Sequence, residues 1–139
     1  MRRIRVAAAV VWNGPLLLMT QRAPGGALGM LWEFPGGKIE RDETPEQAIV
    51  REVREELGVA ATPVERLHSV SHDYAHGTRV EIVFVLCTLD SLEFTLSDEV
   101  NDAHWQPPSE IDLSRVLEAD RDFLRSLGAA AVDGGRRDS

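Results

Sequence analysis

The chain has 139 residues, of which 43% are hydrophobic and 27% are charged, so it can form one globular domain with a buried core. This composition excludes a disordered chain, a fibrous repeat and a miniprotein held together by disulfides. The net charge of −8, from 23 acidic and 15 basic residues, argues against direct DNA or RNA binding, which rests on basic contacts to phosphate. The single cysteine, Cys87, and the lack of an apolar run of about 20 residues predict a cytoplasmic protein without disulfides or membrane spans.

Strands are predicted from apolar runs that are separated by turn signals. In chain order they cover residues 4–12, 16–19, 32–34, 64–74, 79–89 and 103–106. The pair Asn13-Gly14 is typical of a hairpin turn, and the glycine-rich residues 23–30 predict a loop. Apolar side chains fall on both faces of the run 79–89, which predicts a central strand that is covered on each side.

The clearest helix in the sequence has recognisable ends. It begins after Thr44, because Pro45 suits the first helical position and Gln47 can complete a capping box with Thr44. It is expected to end near Leu57, since the following Gly58 is a typical C-terminal stop.

A second helix is predicted over residues 113–127, where apolar residues recur at helical spacing. Helices combined with these strands predict an α/β sandwich, with a central mixed sheet between helices. The predicted single domain covers residues 1–132, and the polar, glycine-rich residues 133–139 predict a flexible tail.

Three glutamates share one face of the first helix. At about 100° per residue, Glu55 and Glu56 lie about 60° and 40° to either side of Glu52. Like charges at this spacing destabilise a helix, whereas clustered carboxylate oxygens suit Mg²⁺ or Mn²⁺, which share their remaining positions with substrate phosphates. The alternative interpretation is a solvated charged face, in which Arg51 and Glu55 form an ion pair four residues apart.

The loop before this helix adds groups of related chemistry. Gly37 allows the backbone to approach a ligand closely, and its carbonyl oxygen could be a metal ligand. Lys38 beside it is a candidate contact to phosphate. Glu40 and Glu43 add two acids, and Arg51 is placed to order them by pairing with a neighbouring glutamate.

Together these residues form a recognisable motif. Residues 37–59, GKIERDETPEQAIVREVREELGV, match the Nudix box at all nine of its defined positions, which are Gly37, Glu43, Arg51, Glu52, Val53, Glu55, Glu56, Gly58 and Val59. The chain therefore resembles the Nudix hydrolases, which cleave a nucleoside diphosphate linked to another moiety and fold as an α/β/α sandwich. The flanking segment Leu31–Glu40, LWEFPGGKIE, resembles the MutT branch, which converts nucleoside triphosphates to monophosphate and pyrophosphate.

The resemblance implies roles for the box residues. The ligands of Mg²⁺, or of Mn²⁺, would be the side chains of Glu52, Glu55 and Glu56, assisted by the carbonyl of Gly37. Glu43 would support the metal cluster, and Arg51 would orient the acids. Relatives often use a loop glutamate after the central strands as a further ligand or base, and Glu99 is the matching candidate here, with Asp98 as a substitute.

The charges indicate how such a site would work. A triphosphate carries about four negative charges, and metal ions between the acids and the phosphates would reverse the local sign and lower the pKa of a bound water. Arg22 and Lys38 could then hold non-bridging oxygens. The reaction needs positioning and electrostatics, so no serine or cysteine nucleophile is required.

The second helix contains the residue that is the candidate for recognising the nucleotide base. Asp120 falls on an otherwise apolar face, where it could lie at the edge and reach water or Arg121, or could face the nucleotide. MutT-like enzymes place Asn or Asp there, and the prototype has Asn. An ionised Asp only accepts hydrogen bonds and favours an exocyclic amine such as N4 of cytosine. Two substrate classes are therefore compatible with the sequence, 8-oxo-dGTP on one hand and CTP, dCTP or methylated cytidine triphosphate on the other. Phe34 and Leu31 are candidates to line the pocket of the base, and packing in the core is the alternative for Phe34.

The spaced histidines and two other functions offer alternative interpretations of the sequence. His68, His72 and His76 recur every four residues, but they fall in a strand and a turn without a cysteine cluster, so zinc is not expected. Hydrolysis of nucleotide sugars or dinucleoside polyphosphates is a second possibility. A nucleotide-binding module without catalysis is a third, which the intact box glutamates argue against. The leading hypothesis is an enzyme that cleans the nucleotide pool as a monomer or weak homodimer and whose partner is a small nucleotide.

Overall fold

The computed structural model describes residues 2–137, and the side chains of residues 2–130. Its strands are β1 (Arg2–Val10), β2 (Trp12–Asn13), β3 (Leu16–Arg22), β4 (Trp32–Glu33), β5 (Gly36–Lys38), β6 (Ala61–Asp73), β7 (Thr78–Leu89) and β8 (Val100–Gln106). Its α-helices are α1 (Pro45–Leu57) and α2 (Arg121–Arg137), and short 3₁₀ turns cover Pro108–Glu110, Leu113–Arg115 and Glu118–Asp120.

A mixed four-stranded sheet forms the centre of the fold, as predicted, in the order β5-β1-β7-β6. Strands β1 and β7 are parallel, with Arg2 opposite Thr78 at one end and Val10 opposite Leu86 at the other. The two outer strands, β5 and β6, run antiparallel to their neighbours. A second, antiparallel sheet, which the sequence pattern does not predict, contains β2, β3 and β4, with β8 also paired to β3.

The buried core lies on both faces of the mixed sheet, because successive side chains of a strand point to opposite faces. Ala7 and Ala9 of β1 pack towards α1, in a cluster that includes Ile49. Ala8 and Val10 pack on the other face, in a cluster that includes residues from the segment leading into α2. The strand over residues 79–89, observed as β7, is therefore apolar on both faces because each face of the sheet is buried, as predicted.

Strand β5 occupies residues that the sequence pattern treats only as a stop after the strand 32–34. Gly36 has φ 139°, and a Cβ atom there would lie 2.1 Å from the carbonyl oxygen of Ala7. Only glycine allows this close pairing with β1. The Gly-Gly pair thus adds an edge strand to the mixed sheet and brings the loop before α1 against it.

The predicted helix over residues 113–127 is wrong in its first half, since α2 begins only at Arg121. The N–H of Leu117 donates to the carbonyl oxygen of Trp32 at 2.9 Å, and Val116 forms a parallel bridge with Trp32. This pairing holds Val116 in an extended conformation, at φ −106° and ψ 144°, which interrupts a helix. Residues 113–120 therefore form 3₁₀ turns around an extended link.

None of the helices within residues 2–137 is long and apolar enough to cross a membrane. Of the predicted flexible tail, residues 133–137 continue α2 and residues 138–139 lie outside the described residues. The flexibility of this tail stays a prediction.

Candidate active site

Helix α1 has the ends that its sequence predicts. The N–H of Gln47 donates to Oγ1 of Thr44 at 3.1 Å, and the N–H of Thr44 donates to Oε1 of Gln47 at 2.9 Å, which are the two bonds of a capping box. Gly58, at φ 71°, ends the helix in the left-handed conformation that favours glycine. These ends fix the helical register, and the three glutamates of the acidic face lie in its second half.

Arg51 lies at the centre of the acidic cluster. Its Nε and Nη2 atoms each donate to one carboxylate oxygen of Glu43 at 2.9 Å, which makes a bidentate pair. Nη1 donates to Oε1 of Glu52 at 2.6 Å, and Nη2 also donates to the carbonyl oxygen of Lys38 at 3.0 Å. The hydrogen bonds from Arg51 lower the pKa of Glu43 to about 2, so this carboxylate keeps its charge in acid.

Glu56 is the buried member of the acidic face, with 9% of its surface exposed. Its Oε1 accepts a hydrogen bond from the N–H of Gly36 at 3.2 Å. Burial raises the pKa of Glu56 to about 8, and the charges of Glu33 and Glu52 act in the same direction, whereas the bond from Gly36 opposes the shift. The carboxyl group is therefore protonated at neutral pH until a positive charge binds beside it.

Glu52 and Glu55 differ from Glu56 in exposure. Glu52 is half-buried, and burial raises its pKa against the opposing effect of Arg51. A Cβ atom on Gly37 would lie 2.5 Å from Cδ of Glu52, so a larger residue here would displace this carboxylate from its present position. Glu55 is exposed, and its Oε2 lies 3.8 Å from Nη1 of Arg51.

Glu99 reaches the cluster from a distant part of the chain. The N–H of Ser97 donates to the carbonyl oxygen of Glu56 at 3.0 Å, so the segment before Glu99 is attached to the end of α1. The charge of Glu99 raises the pKa of Glu52 and of Glu56, which places it close to both. The charge of the predicted loop glutamate therefore acts on two of the three helix glutamates.

The donor atoms of this site fit a hard divalent cation. The four glutamates offer carboxylate oxygens, and the space that Gly37 leaves beside Glu52 would be filled by any larger residue. Within residues 2–130, no three His, Cys, Asp or Glu side chains converge as a group that could hold an ion. The carboxylates of Glu52 and Glu56 are bonded to Arg51 and Gly36 instead, so cation binding requires these side chains to move.

Two basic residues at the edge of the site are the predicted phosphate contacts. Nη1 of Arg22 lies 3.3 Å from Oε2 of Glu33 and 3.4 Å from Oε1. Lys38 is exposed in β5, next to the two glycines, and its carbonyl oxygen accepts the bond from Arg51. Both cations therefore lie on strands that border the acidic cluster.

Asp120 is 5% exposed and lies at the end of a 3₁₀ turn, directly before α2. Its Oδ2 accepts a hydrogen bond from the N–H of Phe34 at 3.3 Å, across 86 positions of the chain. Burial raises the pKa of Asp120 to about 8, the charge of Glu33 acts in the same direction, and the bond from Phe34 opposes the shift. The edge position with contact to water or Arg121 is therefore not the one that this side chain takes.

Phe34 itself is 3% exposed, and its ring packs in the core. The ring centroids of Phe34 and Phe84 are 5.3 Å apart with an edge-on orientation, and that of Phe123 is 5.9 Å away. The part of Phe34 that faces Asp120 is its backbone N–H.

Glu33 is a site residue that sequence reasoning missed. Its charge acts on both Glu56 and Asp120, and its carboxylate also accepts the bond from Arg22. Burial raises the pKa of Glu33 to about 7. The sequence carries no distinct signal for this role, because an acid between Trp32 and Phe34 is the alternation expected of a half-buried strand.

The three spaced histidines have separate partners. The ring of His68 stacks on a phenylalanine of α2 at a centroid distance of 5.4 Å. Nε2 of His72 lies 3.5 Å from a carboxylate oxygen of Glu118, and the ring of His76 packs against Tyr74. Their regular spacing therefore reflects neighbouring positions in one strand and its turn.

Comparison with known proteins supports the motif. The NUDIX domain matches residues 1–127. An 8-oxo-dGTP diphosphatase of Haemophilus influenzae is 30% identical over 126 residues, covering 89% of this chain and 90% of that protein. The CTP pyrophosphohydrolase of Escherichia coli K12 is 46% identical over 69 residues, covering 50% of this chain and 51% of that protein. An 8-oxo-dGTP diphosphatase of Proteus vulgaris is 40% identical over 74 residues, covering 52% of this chain and 66% of that protein.

The chain thus aligns with about half to two thirds of the length of the last two relatives. Among solved structures, the solution structure of the E. coli ORF135 protein has a TM-score of 0.75 at 31% identity and covers 93% of this chain and 91% of that one. The MutT NUDIX hydrolase of Burkholderia pseudomallei has a TM-score of 0.77 at 25% identity, covering 90% and 98%. With the complete box, the shared fold and a domain match over nearly its whole length, this chain belongs to the Nudix hydrolase family.

Proposed function

We propose that this protein hydrolyses a nucleoside triphosphate to the monophosphate and pyrophosphate with the help of Mg²⁺, and that its preferred substrate is of the 8-oxo-dGTP type. The observation that carries this proposal is the complete set of box glutamates on α1, with the charge of Glu99 acting on Glu52 and Glu56 and with Arg22 and Lys38 on bordering strands. Carboxylates for metal and cations for phosphate are the two sets of groups that phosphoanhydride hydrolysis needs.

The residues of the chain would divide the work. Bound Mg²⁺ would supply positive charge to the phosphates and lower the pKa of a water in its coordination sphere. Arg22 and Lys38 would hold non-bridging oxygens, so that the scissile anhydride bond lies in line with the attacking water. The water oxygen forms a bond to phosphorus, the bridging oxygen leaves with the pyrophosphate, and a glutamate of the site accepts the released proton.

Arg51 would act indirectly in this proposal. Its bidentate bond to Glu43 and its bond to Glu52 hold two acids at a fixed separation. Outer partners of this kind orient the ligands of a metal, and their loss reduces metal affinity or activity by roughly 10- to 100-fold.

The base would be read at Asp120. A carboxyl group with a pKa of about 8 is neutral at pH 7, so it can donate one hydrogen bond as well as accept others. An ionised aspartate could only accept hydrogen bonds, and burial changes that. A neutral acid can pair with 8-oxoguanine, which offers an N7–H donor beside the O6 acceptor, as an asparagine would.

A pyrimidine substrate, CTP or dCTP, is a second candidate. Cytosine presents an N4 donor beside the N3 acceptor, and a neutral Asp120 matches this pair as well. The relative with the highest identity of those compared above, at 46%, is a CTP pyrophosphohydrolase. Methylated cytidine triphosphates belong to the same alternative.

A nucleotide panel tests the proposal. Release of pyrophosphate from 8-oxo-dGTP, dGTP, dCTP and CTP is measured with Mg²⁺ at equal nucleotide concentrations. We expect hydrolysis of at least one modified or pyrimidine substrate and none without the metal. Binding of nucleotides without any hydrolysis would identify a catalytically inactive module, and cleavage of nucleotide sugars in preference to triphosphates would overturn the substrate class.

Two variants then test the reader of the base. Asp120→Ala should weaken discrimination between the best and the poorest base by roughly 10- to 100-fold in kcat/KM, because a hydrogen bond to a buried polar group is lost. Asp122→Ala is the matched control, since Asp122 is exposed two positions later and pairs with Arg125. An unchanged ranking of substrates in Asp120→Ala would exclude base reading by this residue.

A further inference from the structure

A pair of amide side chains, one buried and one exposed, lies beside the proposed active site but outside its acidic cluster. Gln21 in β3 is 6% exposed, and its Oε1 accepts a hydrogen bond from Nδ2 of Asn101 at 2.7 Å. Its Nε2 donates to the carbonyl oxygen of Met30 at 3.1 Å. The sequence assigns no role to either amide, and nothing in the proposed chemistry uses them.

The direction of these hydrogen bonds is determined by the groups involved. A carbonyl oxygen only accepts, so the nitrogen of Gln21 must face Met30 and its oxygen must face Asn101. Asn101 must then present its nitrogen to Gln21. A carboxylate at either position would therefore remove a donor and break one of these bonds.

The pair coincides with an irregularity in the sheet. Gln21 lies opposite Asp102 and Arg22 lies opposite Val100, so Asn101 is an extra residue in β8. Such a bulge turns the strand and changes the direction of neighbouring side chains, and bulges are frequent next to active sites. The side chain of the extra residue is the one that is bonded to Gln21.

The bulge lies two residues after Glu99, and the backbone of Glu99 is held there. Its carbonyl oxygen accepts a hydrogen bond from the N–H of Ala23 at 3.0 Å, directly after the strand that carries Gln21. On the other side, the N–H of Ser97 is bonded to the carbonyl oxygen of Glu56. Glu99 is thus held between α1 and the end of β3. The bond between Gln21 and Asn101 strengthens the contact with β3.

We infer that Gln21 and Asn101 form a positioning pair that holds the bulge of β8 and thereby directs Glu99 towards the carboxylates of α1. The same pair fastens Met30, which has the left-handed φ of 68°, at the end of the loop that follows Arg22. The inference rests on the proposed function, in which Glu99 serves the metal site.

Binding of Mn²⁺ without nucleotide, measured by electron paramagnetic resonance of the free ion, provides the test. We expect Glu99→Gln to weaken Mn²⁺ binding, and Asn101→Ala to weaken it by roughly tenfold, the lower range for outer partners of a metal site. The double variant that combines Glu99→Gln with Asn101→Ala should bind Mn²⁺ no more weakly than Glu99→Gln alone, because the pair acts through Glu99. Asp102→Ala, the next position of the same strand, is the matched control and should bind as wild type does.

A second variant keeps the test decisive. Gln21→Met has a similar volume, suits a buried position and removes both amide bonds, so it should reproduce the effect of Asn101→Ala. Circular dichroism melting of every variant confirms that the folded protein is compared.

Each other outcome overturns the inference. Additive losses in the double variant would indicate a general structural effect, and wild-type binding by Asn101→Ala would show that the bond is not needed. Wild-type binding by Glu99→Gln would remove the target of the pair. The nucleotide panel is read separately: coupling in Mn²⁺ binding without hydrolysis defeats only the proposed function, and hydrolysis without coupling defeats only the positioning pair.

Discussion

Replacing Glu56 by glutamine should abolish turnover and at the same time stabilise the metal-free protein. The change keeps the size of the side chain and the oxygen that accepts the hydrogen bond from Gly36. It removes the charge that a metal would need and also the only group of this side chain that ionises. Activity and stability are therefore expected to move in opposite directions.

The magnitude follows from the shift of the pKa from 4.5 to about 8. The folded protein holds a proton that the unfolded chain releases between these values, so its stability falls as pH rises through this range. At pH 7, about 2.5 pH units above the unfolded value, this amounts to about 3 kcal/mol at 1.36 kcal/mol per unit. Glutamine does not ionise, and Tm should rise by roughly 10 °C at pH 7, at about 3 °C per kcal/mol for a domain of this size.

The assay is thermal unfolding of both proteins in EDTA at pH 4.5, 6, 7 and 8, with pyrophosphate release measured in separate samples that contain Mg²⁺. The difference in Tm should be close to zero at pH 4.5 and should increase to pH 8. Glu55→Gln is the matched control, because Glu55 is exposed and its substitution should change stability by less than about 0.5 kcal/mol while activity is lost. A Tm difference that is absent, or that does not depend on pH, would refute the buried neutral state of Glu56.

Three further predictions concern metal, charge and base. Mg²⁺ should raise Tm more at pH 8.5 than at pH 6.5, because Glu56 must lose its proton to become a ligand; thermal shift assays at both pH values measure this. Arg51→Lys should return the pKa of Glu43 from about 2 towards its ordinary value, since lysine cannot form the bidentate pair. The variant should therefore be less stable than wild type at pH 7, and the difference should vanish as pH falls from 4.5 to about 2, where the wild type loses this stabilisation; NMR titration of Glu43 and unfolding measured across this pH range check it. Asp120→Asn should keep the base preference at pH 7 but remove its decline above about pH 8, as read from the pH profile of the kcat/KM ratio.

Different results would contradict these expectations. An equal rise in Tm on Mg²⁺ binding at both pH values would show that Glu56 is not a ligand of the metal. Unchanged acid unfolding in Arg51→Lys would show that the pair with Glu43 has no energetic role. A reversed base preference in Asp120→Asn would indicate that the ionised form of Asp120 reads the base.

Much of the site could be predicted from a short stretch of sequence. The ends of α1 depend on Thr44, Gln47 and Gly58, which act on residues within four positions, so their effect does not depend on the rest of the fold. The shared face of Glu52 and Glu56 follows from helical geometry alone. The complete box could therefore be recognised before any tertiary contact was known.

The second helix shows where this local reasoning ends. Apolar residues at helical spacing predict a helix from residue 113, but the backbone of Val116 pairs with Trp32, which lies 84 positions earlier. That bridge holds Val116 in an extended conformation, so α2 starts later. Asp120 still lies on the buried side, but at the start of the helix and not within it.

The sequence by itself determined the α1 helix, its acidic face and the family, because caps, periodicity and motif spacing are properties of neighbouring residues. Only the tertiary structure decided the protonation of the site. Glu56 and Asp120 have raised pKa values because distant segments exclude water from them, and the charge of Glu33, which is held by the pairing of β3 with β4, acts on both. Burial and charge coupling depend on distances between segments far apart in the chain, which spacing along a sequence does not encode.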